Sequence, residues 1–286
     1  MNTSRKIEVV EVTDFLLYFY WGRHADDEMM DMRLGGGSFA LYKGDTALVI
    51  DTMARPGQGV WVRRYLEEKI KIKHFTLIAS HWHVDHVIDN QAYENDVIIG
   101  HKRTRDIMLE KKELFEAGQY SDYDAFRVVP PNLVFEGKLE LWLKDMKVEL
   151  HEYLVHEEGH LGVLLPDEKI FIANDILEDP IWFFDFDFAS PETQLAELER
   201  LMEQEIDMIL PCHGTLSVIK NGGYSKQLIQ DNIDYLKAMM ADVNSPNFKT
   251  NTAPELISNG LQNGELNWWD PYAEVHELNK ESLLKG

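Results

Sequence analysis

A chain of 286 residues, 44% of them hydrophobic, can form one large domain or two small ones around a buried core. Its 28 basic and 50 acidic residues give 28 − 50 = −22, a field that repels polyanions and argues against a nucleic-acid partner. The single cysteine, Cys212, excludes an internal disulfide; the opening MNTSRKIEVVEV lacks the apolar run of a signal peptide, and no apolar stretch reaches membrane-spanning length, so a cytoplasmic protein without membrane attachment is expected.

In chain order, Lys6–Val12 and Phe15–Trp21 are rich in β-branched and aromatic residues and predict two strands. Arg23–Arg33 is charged and predicts a loop, followed by Gly35-Gly36-Gly37. Ser38–Tyr42 and Thr46–Ile50 flank Gly44 and predict a hairpin that delivers Asp51. The four-residue spacing of Trp61/Tyr65 and Leu66/Ile70 predicts a helix over 57–70. The apolar run Phe75–Ala79 is a buried strand, and it ends in HWHVDH, which places His81, His83, Asp85 and His86 within six residues. Imidazole and carboxylate are ligands for divalent metals. Folding alone gives no reason to gather so many titratable groups at a strand end, where they repel when protonated. His81 and His83 alternate and can face one ion; Asp85 and His86, on the following turn, can face a second.

Beyond the cluster, Val97–Ile99 predicts a strand and His101–Ala117 a charged amphipathic helix stopped by Gly118. Gln119–Asn132 is long for a loop, and either borders the active site or connects two halves of one core that divide near residue 125. Strands are expected at Leu133–Phe135, Leu139–Leu143, Val148–Tyr153, Leu161–Leu165, Ile170–Ala173 and Asp207–Leu210. Ser190-Pro191-Glu192 starts a helix with a capping side chain, a proline and an early carboxylate. Cys212 precedes His213 on an extended segment, so alternation is expected to turn its side chain away from whatever His213 reaches. Helices are expected at Tyr224–Met240 and near Ala273–Leu284.

The H-x-H-x-D-H cluster behind a hydrophobic strand resembles the signature of the metallo-β-lactamase-fold hydrolase superfamily. Further motifs follow in the family's order: His156 with Gly159, a hairpin ending in Asn174-Asp175, and Cys212-His213-Gly214. The resemblance spans roughly residues 36 to 215. It implies an α/β fold of the αββα type, two mixed sheets flanked by helices, over residues 1–250, with 251–286 an extension packed on the same domain.

By that resemblance His81, His83 and His156 bind one metal, Asp85, His86 and His213 bind another, and Asp175 bridges them. Asp51 and His160 stand behind the ligands. The resemblance implies two divalent ions, zinc first, with iron or manganese as alternatives. Five neutral imidazoles and two carboxylates would hold such a pair at a net charge of about +2. The implied chemistry is attack of a metal-bridging hydroxide on an ester, thioester or lactone, with Asp85 orienting the nucleophile and moving its proton. The alternative is an iron redox enzyme of the same fold, sulfur dioxygenase-like or flavodiiron-like. A small-molecule substrate is expected, with homodimerisation left open. His24, His74, His101, His151 and His276 have no motif context and are expected to be structural.

Three positions depart from the family pattern: Ile88-Asp89-Asn90 replaces Gly-Gly-Asn, Asn174 replaces a glycine, and Glu178 stands where lactonases of this fold carry tyrosine. The last weakens a lactonase assignment. Asp175 itself separates the chain from true β-lactamases of this fold, which lack the bridging aspartate.

Overall fold

The computed structural model describes residues 7–24, 26–121 and 123–285. Lys6, the expected start of the first strand, and the rest of MNTSRK lie outside the described residues. Contacts divide the chain into two compact units, Met1–Glu152 and Tyr153–Gly286.

The first unit carries a mixed seven-stranded sheet in sequence order: β1 (Glu8–Thr13), β2 (Leu16–Tyr20), β3 (Gly37–Lys43), β4 (Thr46–Ile50), β5 (His74–Ala79), β6 (Val97–His101) and β7 (Leu133–Phe135). Antiparallel pairing takes β1 through β4, and parallel pairing takes β4 through β7. The parallel strands explain the apolar runs: Ala47–Ile50 and Leu77–Ala79 are buried throughout, as strands with both faces covered must be. Ile50 pairs with Ile78, so Asp51 and Ser80 leave adjacent strand ends in the same direction. Ligand-binding groups gather at such carboxyl ends.

Three expectations are refined here. The charged stretch 23–33, expected to be a loop, enters a short helix, Met30–Leu34, in which Met32 and Leu34 are buried and which Gly35 ends at φ +70°. The long helix breaks at Lys111 into Lys102–Glu110 and Lys112–Glu116, and the His101 ring accepts the Arg103 N–H at its start. The loop 119–132 borders the ligand turn: Phe126 and Val128, with Tyr120 and Tyr123 beside them, share a cluster with Trp82.

A second mixed sheet has the order β12-β11-β10-β9-β8, where β8 is Lys138–Leu143, β9 Met146–Val155, β10 Glu157–Leu165, β11 Ile170–Asn174 and β12 Met208–Pro211. The division between units falls inside β9, later than residue 125. Residues 138–152 are tied to the first unit by Lys43–Asp145 and His101–Glu152 ion pairs. In the second unit, helices Pro191–Met202 and Gln227–Asp242 supply the buried stripes of Leu198 with Leu201, and of Ile229, Ile233 and Leu236. The Ser190 hydroxyl accepts the Thr193 N–H, as its position predicts. The C-terminal segment adds helices Ala253–Leu256 and Ser258–Asn263 to the expected one, Tyr272–Lys285. Among the described residues, no helix is long and apolar enough to cross a membrane.

Asp89, one of the departures from the family pattern, has a structural reason. Its buried carboxylate accepts the N–H groups of Gly57 and Val60, at 3.0 and 2.9 Å, and so caps helix Gln58–Tyr65 from outside. Gly59 approaches so closely that an added Cβ would stand 3.0 Å from the Asp89 Cβ. Asp89→Ala should cost about 1–3 kcal/mol of stability, read as a lower urea midpoint at constant slope, because it leaves the Gly57 and Val60 N–H groups without that acceptor. An unchanged midpoint would remove Asp89 from this role.

Candidate metal centre

In the first unit, a single carboxylate organises the ligand turn. Asp51 Oδ1 accepts the Ser80 N–H at 2.8 Å; Oδ2 accepts the Ser80 hydroxyl at 2.7 Å and the His86 Nδ1 proton at 2.8 Å. A carboxylate can only accept, so Nδ1 of His86 carries the proton and Nε2 the lone pair. Because its hydroxyl proton goes to Asp51, Ser80 Oγ accepts from His81 Nδ1, 3.0 Å away, which again leaves the lone pair on Nε2. Burial pushes the Asp51 carboxyl above its ordinary range, while His86 and Ser80 oppose that shift. A carboxylate buried this deeply needs all three donors.

The cluster is compact. The ring centroids of His81 and His83 lie 4.7 Å apart, those of His81 and His86 4.2 Å, and His81 and His83 present ring nitrogens within 4.8 Å of each other. Asp85 Oδ2 lies 3.2 Å from His86 Nε2. The turn is held from below by Thr52, whose N–H and hydroxyl both donate to the His86 carbonyl. Ile88 is buried in the cluster with Phe126 and Val128, and Asn90 donates to the Val129 carbonyl, so both pack the turn against the 119–132 loop.

The second unit holds His156, Asp175 and His213. His156 forms the bend between β9 and β10 at φ +68°, and β10 begins at Glu157, earlier than expected. The turn therefore sits at His156 and not at Gly159, which lies inside β10 at φ +76°. His156 Nδ1 donates to the Phe183 carbonyl at 2.8 Å, leaving the lone pair on Nε2. That Nε2 lies 3.8 Å from Asp175 Oδ2, and His213 Nε2 lies 3.4 Å from the same oxygen. Asn174 adopts φ +50° and donates to the Leu161 carbonyl at 3.1 Å, so it performs the turn for which the family uses glycine. The buried His160 ring stacks edge-on to His156, with centroids 5.5 Å apart.

Cys212 departs from the expected alternation. Its sulfur lies within 4.8 Å of ligand atoms of both Asp175 and His213. Strand β12 ends at Pro211, so side-chain alternation no longer holds at Cys212, whose N–H donates to the Asn174 carbonyl. Glu178 is buried and accepts from the Tyr272 hydroxyl at 2.8 Å. Burial pulls His213 down, but Asp175, Cys212 and Glu178 outweigh it and hold this imidazole well above its usual range. Of the histidines expected to be structural, His24 bonds the Trp21 carbonyl, His101 pairs with Glu152, His151 with Glu149, and His276 with Tyr235.

The donor chemistry fits divalent metal. Each of His81, His86 and His156 has its Nδ1 engaged by an acceptor, the arrangement that presents a neutral imidazole Nε2 as a ligand. A profile of the Metallo-beta-lactamase superfamily matches residues 33–213. Similar solved structures include a metallo-beta-lactamase from Pontibacter korlensis, at 15% identity and a TM-score of 0.59 over 79% of this chain and 99% of that one. A metallo-beta-lactamase from Hirschia baltica is similar at 13% identity, with a TM-score of 0.59 over 80% of this chain and 97% of that one. No curated protein matches the sequence. The two mixed sheets with flanking helices are those of the αββα sandwich that these structures share.

The raised His213 pKa has a defined consequence for metal-free protein. Below the ordinary histidine value of 6.5 both folded and unfolded chains hold the proton, and the stabilising contacts of the imidazolium are fully present. As pH rises, the unfolded chain loses its proton first and the contribution declines. In chelator-treated protein, the stability advantage of wild type over His213→Gln should therefore shrink steadily above pH 6.5. A constant or growing advantage would refute the raised value.

Proposed function

The chain belongs to the metallo-beta-lactamase superfamily, and we propose that it is a metal-dependent hydrolase acting on an ester, thioester or lactone. In this reading His81, His83 and His156 hold one divalent ion, Asp85, His86 and His213 hold a second, and Asp175 is shared. One observation carries it: Asp175 Oδ2 has the Nε2 atoms of both His156 and His213 near it, at 3.8 and 3.4 Å. That is the disposition required of a carboxylate serving two ions. Zinc is the first expectation, with iron or manganese as alternatives, because His/Asp donor sets accept all three.

When bound, two such ions lower the pKa of a shared water and polarise the scissile carbonyl. The protein's own contributions follow from its hydrogen bonds. Asp51, through Ser80 and His86, fixes the tautomers of two imidazoles. The Phe183 carbonyl fixes that of His156, and the His160 ring packs beside it. Asp85 orients the attacking water and accepts its proton, then delivers that proton to the leaving oxygen or sulfur. The carbon–oxygen bond to water forms as the ester or thioester bond breaks. Glu178 stands where lactonases of this fold carry tyrosine, which speaks for esters and thioesters over lactones. The identities of 15% and 13% to β-lactamases speak for the fold alone, so β-lactam hydrolysis is not part of this proposal.

The proposal treats 1–250 as the catalytic domain and 251–286 as its extension, acting in the cytoplasm on a small-molecule substrate, with homodimerisation open. The charge of −22 speaks against nucleic acid as substrate.

His83→Ala should lose bound metal and turnover of p-nitrophenyl esters or thioesters together while keeping its circular dichroism spectrum. Full activity in a metal-poor His83→Ala protein would overturn the assignment. Asp51→Ala should weaken metal retention by about 10- to 100-fold, as changes behind the ligands do. Unaltered affinity would remove Asp51 from the centre. Iron in the purified protein, with a visible absorption band and no hydrolytic turnover, would replace hydrolysis with iron redox chemistry.

A further inference from the structure

Beyond the matched family region, one residue of the C-terminal segment bonds the peptide on which His156 rests. Helix Tyr272–Lys285 carries Asn279, which is fully buried. Its Oδ1 accepts the Phe184 N–H at 2.9 Å, and its Nδ2 donates to the Trp182 carbonyl at 2.9 Å. The Phe184 N–H and the Phe183 carbonyl belong to the same planar peptide group. That carbonyl accepts the His156 Nδ1 proton at 2.8 Å. One peptide plane is therefore held on one edge by Asn279 and holds His156 on the other, and such linked hydrogen bonds polarise each other. Trp182 and Phe184, on either side of Phe183, are buried against Tyr235, with ring centroids 6.3 and 6.1 Å away.

The same loop is tied to the segment at three more points. Ser282 Oγ accepts the Phe186 N–H, Tyr272 donates to Glu178, and Asn267 donates twice to Asp179. Asp179 in turn accepts from Thr215 and Tyr224, beside the His213 turn. Asn279 differs from these because it accepts the N–H of the same peptide whose carbonyl His156 uses.

We propose that Asn279 is a positioning residue for His156: it fixes the Phe183–Phe184 peptide whose carbonyl sets the tautomer and orientation of that imidazole. The consequence for metal rests on the reading of His156 as a ligand; the orientation itself does not. The segment 251–286 is then part of the site's construction, although it supplies no ligand.

The test uses full-length protein with two readouts. In the metal-free state, the His156 Nδ1–H should give a slowly exchanging downfield proton resonance, assigned by its loss in His156→Gln. Asn279→Ala should broaden or abolish it, and should weaken Zn2+ binding, measured by competition with a chelating dye, by about 10-fold. Asn279→Leu, which keeps the volume without the polar atoms, should behave alike and serves if the alanine variant does not fold. Lys280→Met removes the neighbouring bond to the Asn251 carbonyl without touching the loop, and should lower the melting temperature while leaving both readouts unchanged. An unchanged His156 resonance in a folded Asn279 variant overturns the proposal, as does absence of that resonance from wild type. If wild type takes up no metal, the hydrolase reading fails, and the resonance still decides the role of Asn279.

Discussion

The turn that carries His81, His83, Asp85 and His86 depends on the buried carboxylate of Asp51. Parallel pairing of β4 with β5 brings Asp51 and Ser80 side by side, and three hydrogen bonds then commit both carboxylate oxygens. Without those donors the charge could not remain in so dry a place. With them, the carboxylate holds the backbone of the cluster at its start and the His86 ring further along. It also explains why two adjacent strand ends, rather than one, are needed to present His81 and His86 with their Nε2 lone pairs available for coordination.

Three of the non-glycine residues with left-handed backbone lie at or beside candidate site residues. Asp51, His156 and Asn174 all adopt positive φ, at 63°, 68° and 50°, a region that non-glycine residues seldom occupy. Each follows or ends a strand that delivers a candidate site residue. Such strain persists only where surrounding bonds over-determine it. The bonds are visible: Ser80 and His86 around Asp51, the Phe183 carbonyl at His156, and the Leu161 carbonyl at Asn174. Rigidity at these corners matters because a metal site tolerates little error in ligand direction.

The C-terminal segment completes this pattern. The loop after Asp175 carries few regular backbone bonds of its own. It is held by side chains of Asn267, Tyr272, Asn279 and Ser282, each approaching a different residue between Glu178 and Phe186. A helix that contributes no candidate ligand therefore shapes the wall around one, and its polar face is buried for that reason.

The cluster His81, His83, Asp85 and His86 was legible in the sequence because folding alone does not gather four metal-binding side chains at one strand end. So were most strands, whose apolar runs follow from burial on both faces, and the helix start at Ser190. Asp51 was identified by its place after β4, though not its three bonds. Local pattern could not show that Cys212 faces Asp175 and His213, because alternation lapses where β12 ends. Nor could it show Asp89 capping a helix that precedes it by some thirty residues, or Asn279 bracing a peptide nearly a hundred residues away. Periodicity records which face of an element is buried; which polar atom meets which depends on long-range pairing of distant segments, and only the tertiary structure decides that.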